Sequence, residues 1–217
     1  MNTNTLQAQL AEFKAGFKTR AAPERVATME AATQKLRASG IEQSALKVGD
    51  AAPKLVLPNA TGKSIELESL WQQGPLILVF YRGGWCPYCS LELRAWQQLL
   101  PQVKAKGATL VAVSPQTPDN SLSTSEKNEL AFEVLSDSDL KASRAFGIAF
   151  DMPAELVELY KSVGHDLPTT NGNGQWVLPV PATYGVDRNG IVQVAHVDVD
   201  YRNRAEPADI LARISLC

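Results

Sequence analysis

The chain has 217 residues, 45% hydrophobic and 20% charged, which is ordinary globular usage and excludes a disordered or fibrous protein. At about 150 residues per domain, that length suits one domain with an extension. With 21 basic and 23 acidic residues the formal charge is -2, so no bulk positive field draws the chain to nucleic acid or an anionic membrane.

From the start of the chain, Leu6, Leu10, Phe13 and Phe17, then Val26, Met29, Ala32 and Leu36, recur at steps of three and four and predict two amphipathic helices. Ala21-Ala22-Pro23 separates them, with Pro23 suited to a first helical position, and Gly40 supplies a left-handed stop. No catalytic residue type clusters there. The hairpin reads as apolar surface packed on the domain or on a second subunit, which makes a homodimer the oligomeric expectation. A boundary near residue 45 then divides a helical extension, 1–45, from a domain, 46–217. Beyond it the texture changes to short strands at 54–57 and 64–67 around a turn at 59–62, then a buried strand at 76–81. A long helix over 86–106, a strand over 109–114 and helical segments near 122–130, 139–146 and 153–163 follow. Residues 169–174 read as a polar loop, 182–186 and 191–197 as strands joined by a tight turn, and 207–216 as a closing helix. Alternating strands and helices argue for an α/β fold with a partly parallel central sheet. The run at 76–81 is far short of the roughly 20 apolar residues a membrane helix needs.

Three cysteines are too few and too odd in number for a secreted disulfide framework, and residues 1–10 are polar, so a reducing cytoplasm is the expected setting. Cys86-Pro87-Tyr88-Cys89 follows the buried strand across Arg82-Gly83-Gly84-Trp85 and opens the long helix. Pro87 suits the first helical position, which makes Cys86 an exposed N-cap facing unpaired backbone N–H groups. Cys89 stands one turn on, on the same face, within reach of a disulfide ring. If the helix terminus and Arg82 lower a thiol pKa from about 8.5 to about 6.5, the thiolate share at pH 7 rises from about 3% to about three quarters. A zinc site would need a second cysteine pair or paired histidines, whereas only Cys217, His165 and His196 remain. Two inert core cysteines fit poorly at the mouth of a strand-to-helix turn beside two glycines. Trp85 and Tyr81 are candidates for the apolar rim of a substrate groove. His196 lies in an alternating strand and reads as a sheet residue, and Cys217 as an incidental terminal thiol.

At these residues the chain resembles known families. Trp85-Cys86-Pro87-Tyr88-Cys89 is similar to the active site of thioredoxin-fold oxidoreductases, and Cys-Pro-Tyr-Cys to that of glutaredoxins. Val48-Gly49-Asp50-Ala51-Ala52-Pro53, Phe80-Tyr81, Leu135-Ser136-Asp137-Ser138-Asp139 and Tyr184-Gly185-Val186-Asp187-Arg188-Asn189-Gly190 resemble peroxiredoxins of the alkyl hydroperoxide reductase and thiol-specific antioxidant class, over about residues 46–215. The resemblance implies a thioredoxin-like fold. It also implies a thiol peroxidase with no bound cofactor, recycled by thioredoxin or glutathione. The family's Pro, Thr and peroxidatic Cys, aligned on Cys89, fall on Arg82, Cys86 and Cys89, and its later arginine falls on Pro181. A cis-proline stands at that place in thioredoxin-like proteins, so Pro181 is expected to be cis and to shape the surface over the cysteines. Without the family's Thr and Arg, which hydrogen-bond the peroxide oxygens, Arg82 is the candidate cation.

Three functions follow. In the first, a thiolate attacks a hydroperoxide and the sulfenic acid condenses to a Cys86–Cys89 disulfide. In the second, the same dithiol reduces small or protein disulfides. In the third, the helical hairpin is a partner surface and the disulfide a non-enzymatic signal. Access favours Cys86 as the attacking sulfur on a bulky disulfide, while alignment to peroxiredoxins favours Cys89 as the sulfenic acid with a small peroxide.

Overall fold

The computed structural model describes residues 5–215. Helices α1 (Leu6–Arg20) and α2 (Pro23–Ala38) form where the three-four spacing placed them. Thr5 caps α1 by accepting from the Ala8 N–H, Pro23 opens α2, and Gly40, at φ 78°, leads into the short α3 (Ile41–Ser44). A small antiparallel pair, β1 (Val56–Pro58) and β2 (Ser64–Glu66), runs into α4 (Leu67–Gln73), which the spacing did not announce.

The remaining elements alternate: β3 (Leu76–Phe80), α5 (Pro87–Ala105), β4 (Thr109–Ser114), α6 (Pro118–Lys127), β5 (Glu133–Ser136), α7 (Lys141–Ala145), β6 (Ala149–Asp151), α8 (Ala154–Ser162), α9 (Leu167–Asn171), β7 (Val177–Pro179), β8 (Ala182–Val186), β9 (Val192–Val197) and α10 (Pro207–Arg213). Among the described residues the central sheet runs β5-β4-β3-β8-β9. β3, β4 and β5 are parallel through helical crossovers, whereas β8 joins β3, and β9 joins β8, antiparallel. β6 and β7 form a separate antiparallel pair.

Every residue of β3 is buried, because helices cover both faces. The pleat divides it: Leu76, Leu78 and Phe80 meet Trp71, Phe146 and Tyr184, while Ile77 and Val79 meet Trp96, Leu100 and Val103 of α5 and Ile210 of α10. Leu6 and Leu10 of α1 close over Cys86, Tyr88 and Cys89 at the head of α5, and Ala32 of α2 packs with Leu156 and Tyr160 of α8.

Two expectations fail locally. The polar stretch at 169–174 is partly helical, because the Asp166 carboxylate accepts from the Thr169 hydroxyl at 2.6 Å and caps α9, which Gly172 ends at φ 68°. The closing helix stops at Arg213, where Ile214 turns extended and buries its side chain on the α5 face. Cys217 lies outside the described residues.

Candidate active site

The β3–α5 junction is built by two glycines. Gly83 sits at φ 147°, a conformation costly for any side chain, and a Cβ there would stand 2.3 Å from the Trp85 indole nitrogen. At Gly84 a Cβ would come within 2.2 Å of the Thr124 hydroxyl, and the Gly84 N–H donates to Gln116 Oε1 at 2.7 Å. The turn delivers Cys86 as the N-cap of α5, at φ -90° and ψ 114°, with Pro87 in the first turn. The expected position holds; the expected exposure does not. Cys86 is 2% exposed and Cys89 fully buried, because α1 lies across the start of α5. Both thiols are free.

Burial raises the Cys86 thiol. A hydrogen bond from the Cys89 thiol and the charges of Arg82 and Arg204 outweigh it and bring the pKa down to about 6. Burial, then the hydrogen bond and negative charge shared with Cys86, hold Cys89 well above the ordinary thiol value. The electrostatics therefore separate a thiolate at Cys86 from a thiol at Cys89, the reverse of the assignment that alignment favours for a small peroxide.

Sequence reasoning missed Arg204. It stands after β9, and its guanidinium donates to the Cys89 sulfur at 3.5 Å and to Glu92 Oε2 at 2.6 Å. Arg204 and Glu92 side chains are each 1% exposed. Burial pushes the Glu92 carboxyl up to about 7 against the Arg204 charge. Glu92 lies three residues beyond Cys89 on one face of α5, a spacing visible in the sequence. Nothing in the aperiodic run Asp200-Tyr201-Arg202-Asn203-Arg204 announces Arg204.

Arg82 is buried. It donates to the Tyr160 hydroxyl and lies over the rings of Tyr201, Trp85 and Tyr160 at 4.2, 5.1 and 5.7 Å. Trp85 stands edge-on to Tyr160 at 5.6 Å and, with Cys86 and Arg82, lines a cavity of about 150 Å³. Tyr81 is not on that rim. Its N–H continues the ladder to Val113, and strand parity turns its ring to the α5 side, buried with Cys89 and Ala112. Pro181 is not cis, since the described residues contain no cis peptide bond, and it lines a neighbouring cavity of about 210 Å³ rather than the one at Cys86. The two cavities share Met29, Arg82, Tyr160 and Tyr201. His196 is in β9, opposite Thr183.

A family model described as AhpC/TSA family matches residues 48–195, more than half of the chain. The chain belongs to the AhpC/TSA family. A putative peroxiredoxin bcp from Buchnera aphidicola is 34% identical over 103 residues, 48% of this chain and 65% of that protein. Peroxiredoxin Bcp of Escherichia coli is 32% identical over 104 residues, again 65% of its length, so the chain spans just under two thirds of these curated relatives. A thiol-disulfide oxidoreductase ResA from Bacillus thuringiensis is 25% identical over 151 residues, 70% of each chain. Among solved structures, the peroxidoxin BcpB of Mycobacterium tuberculosis aligns with a TM-score of 0.62 at 20% identity, over 77% of this chain and 96% of that one. That is a likeness of fold, and the fold is thioredoxin-like, with a mixed central sheet between helices. Where peroxiredoxins of the resemblance carry Pro and Thr, this member carries Arg82 and Cys86; in the folded chain Arg204, not residue 181, brings a cation to the sulfurs.

Proposed function

We propose that the chain is a thiol-dependent peroxidase in which Cys86 attacks and Cys89 resolves. One arrangement carries the assignment of roles: Cys86, at the N-cap of α5, lines the cavity beside Arg82, whereas Cys89 lies a turn deeper, fully buried and off that wall; the Cys89 thiol and the two guanidinium groups draw the Cys86 thiol down. The Cys86 thiolate attacks the distal oxygen of a hydroperoxide. The S–O bond forms as the O–O bond breaks, and the departing alkoxide takes a proton to leave as alcohol. Arg82, in reach of the same cavity, stabilises the charge developing on the leaving oxygen. The Cys89 thiol then attacks the sulfenic sulfur, closing the disulfide and releasing water. An external thiol of the thioredoxin or glutathione kind returns two electrons. The reducing cytoplasm is the setting that keeps such a pair reduced between turnovers, and a homodimer remains the assembly we expect.

Mass spectrometry of serine variants treated with peroxide tests the roles. Cys89→Ser should accumulate a sulfenic acid at Cys86, and Cys86→Ser should stay unmodified. A sulfenic acid at Cys89 in Cys86→Ser would reverse the two roles.

A second reading, a thiol-disulfide oxidoreductase, is favoured by the Cys-Pro-Tyr-Cys pair at a helix N-terminus and by the similarity to a ResA protein. Stopped-flow oxidation of the reduced protein separates the two: faster reaction with a small disulfide than with any hydroperoxide decides for the second.

A further inference from the structure

Two guanidinium groups enter one cavity and neither meets a carboxylate. The cavity of about 150 Å³ at Cys86 lies among α1, α2, α8 and the start of α5; Phe17, Arg25, Arg82, Trp85 and His165 are on its wall, and no Asp or Glu is. Arg82 is buried, and its Nε has no hydrogen-bond partner. Arg25 lies over the Phe17 ring at 5.4 Å, and its Nε is likewise buried and unpartnered. His165, 5.1 Å from the Trp85 ring, is held below the ordinary imidazole value by burial and then by the charges of Arg25 and Arg82, so both charges reach the same space. The rest of the wall is largely aromatic and aliphatic. The Arg82 charge is shared with the Cys86 thiolate, whereas the half-buried Arg25 has no carboxylate on the cavity wall to pair with; guanidinium is the group best matched to a carboxylate, and an incoming one would supply the missing partner. Arg25 stands on α2, outside residues 48–195 that match the family model, so its charge is a contribution of this chain's N-terminal helices.

We propose that this cavity selects hydroperoxides whose apolar body carries a carboxylate, with Arg25 receiving the carboxylate and the hydroperoxide group reaching Cys86 beside Arg82. The inference rests on the peroxidase reading above. The carboxylate is bound and not consumed: the O–O bond breaks, the alcohol product keeps the carboxylate, and Cys86 is oxidised by two electrons. A charge-assisted pairing at a partly buried site makes a difference of about tenfold between an anionic substrate and its neutral ester.

The test uses the full chain, reduced, with a hydroperoxy-octanoic acid and its methyl ester as a matched pair in stopped flow. The acid should oxidise Cys86 about tenfold faster than the ester. Arg25→Gln should bring the ratio of the two rates towards one, and Arg25→Lys should restore part of it. Because the ratio is internal to each preparation, a loss of folded protein does not imitate the effect. Equal rates for acid and ester in the wild type, or an unchanged ratio in Arg25→Gln, overturn the proposal. Titration calorimetry of octanoate with Cys86→Ser separates the two levels. Octanoate should bind, and bind more weakly once Arg25→Gln is added; no binding overturns the anion preference. Binding of octanoate by a protein that consumes neither hydroperoxide overturns the peroxidase reading, and the hydroperoxide assignment with it.

Discussion

At Cys86, burial and charge pull in opposite directions. A thiol 2% exposed loses the hydration that stabilises its anion, yet two guanidinium groups and the Cys89 thiol more than replace it. With a pKa of about 6, the rate of Cys86 alkylation by iodoacetamide should climb about tenfold per pH unit below 6 and level off above it. Arg82→Gln should move the midpoint upward; a midpoint near the ordinary thiol value of about 8.5 in the wild type would refute the thiolate assignment. The sign for stability follows. Because the folded pKa lies below the unfolded one, this group's contribution is complete above about pH 8.5 and is lost as pH falls through about 6. Glu92 is a different case, a carboxylate bonded to Arg204 at 2.6 Å with both side chains 1% exposed. Glu92→Gln keeps the shape and leaves the Arg204 charge without its anion. Urea denaturation at about pH 8, where the pair is ionised on both sides, should show a loss of about 3–5 kcal/mol. A loss below about 1 kcal/mol would mean that Arg204 is satisfied without Glu92.

The β3–α5 junction is the element on which the site depends. Its strand half is legible in the run at 76–81 and its helix half in Pro87 after Cys86, since both follow from local patterning. The turn between them depends on a contact: Gly84 must stay small because Thr124 of α6 stands against it, and its N–H is tied to Gln116. Gly84→Ala should therefore displace the turn, destabilise the protein by about 1–3 kcal/mol in thermal unfolding and shift the Cys86 alkylation midpoint. A variant with unaltered midpoint and stability would show that α6 yields to the extra carbon. Other elements were illegible for definable reasons. α9 replaces a polar loop because one Asp166 carboxylate organises its first turn. β5, β6 and β7 have only four, three and three residues, too short for a period to register.

In the whole molecule the N-terminal helices are part of the wall around the cysteines. Leu6 and Leu10 pack on Cys86, Tyr88 and Cys89, and ion pairs from Lys14 to Asp200 and from Glu30 to Arg202 tie α1 and α2 to the segment that carries Tyr201 and Arg204. Leu10→Ala should cost about 2–5 kcal/mol in denaturant unfolding and raise the alkylation rate of Cys86 at saturating pH, as cover is removed. We take residues 1–45 as an extension on a domain of residues 46–217. On that division, deletion of residues 1–40 should leave a chain that still closes the Cys86–Cys89 disulfide while exposing apolar surface to a hydrophobic dye. A shortened chain that stays folded and cannot form the disulfide contradicts the division.

The sequence by itself determined what local periodicity and residue chemistry can carry: the two leading helices, the alternation of strands and helices, the buried strand, and two cysteines one turn apart on either side of Pro87. Only the tertiary structure decided the environment of those cysteines. Their burial comes from Leu6 and Leu10, more than 70 residues earlier, and the second cation from Arg204, more than 100 residues later. Tyr81 leaves the rim because the pleat turns it inward, and Arg25 reaches the Cys86 cavity because α2 packs on α8. Spacing encodes which face of its own element a residue occupies. Which distant groups face it, and so which thiol ionises, depends on how the elements pack, because electrostatic interactions act through space and not along the chain.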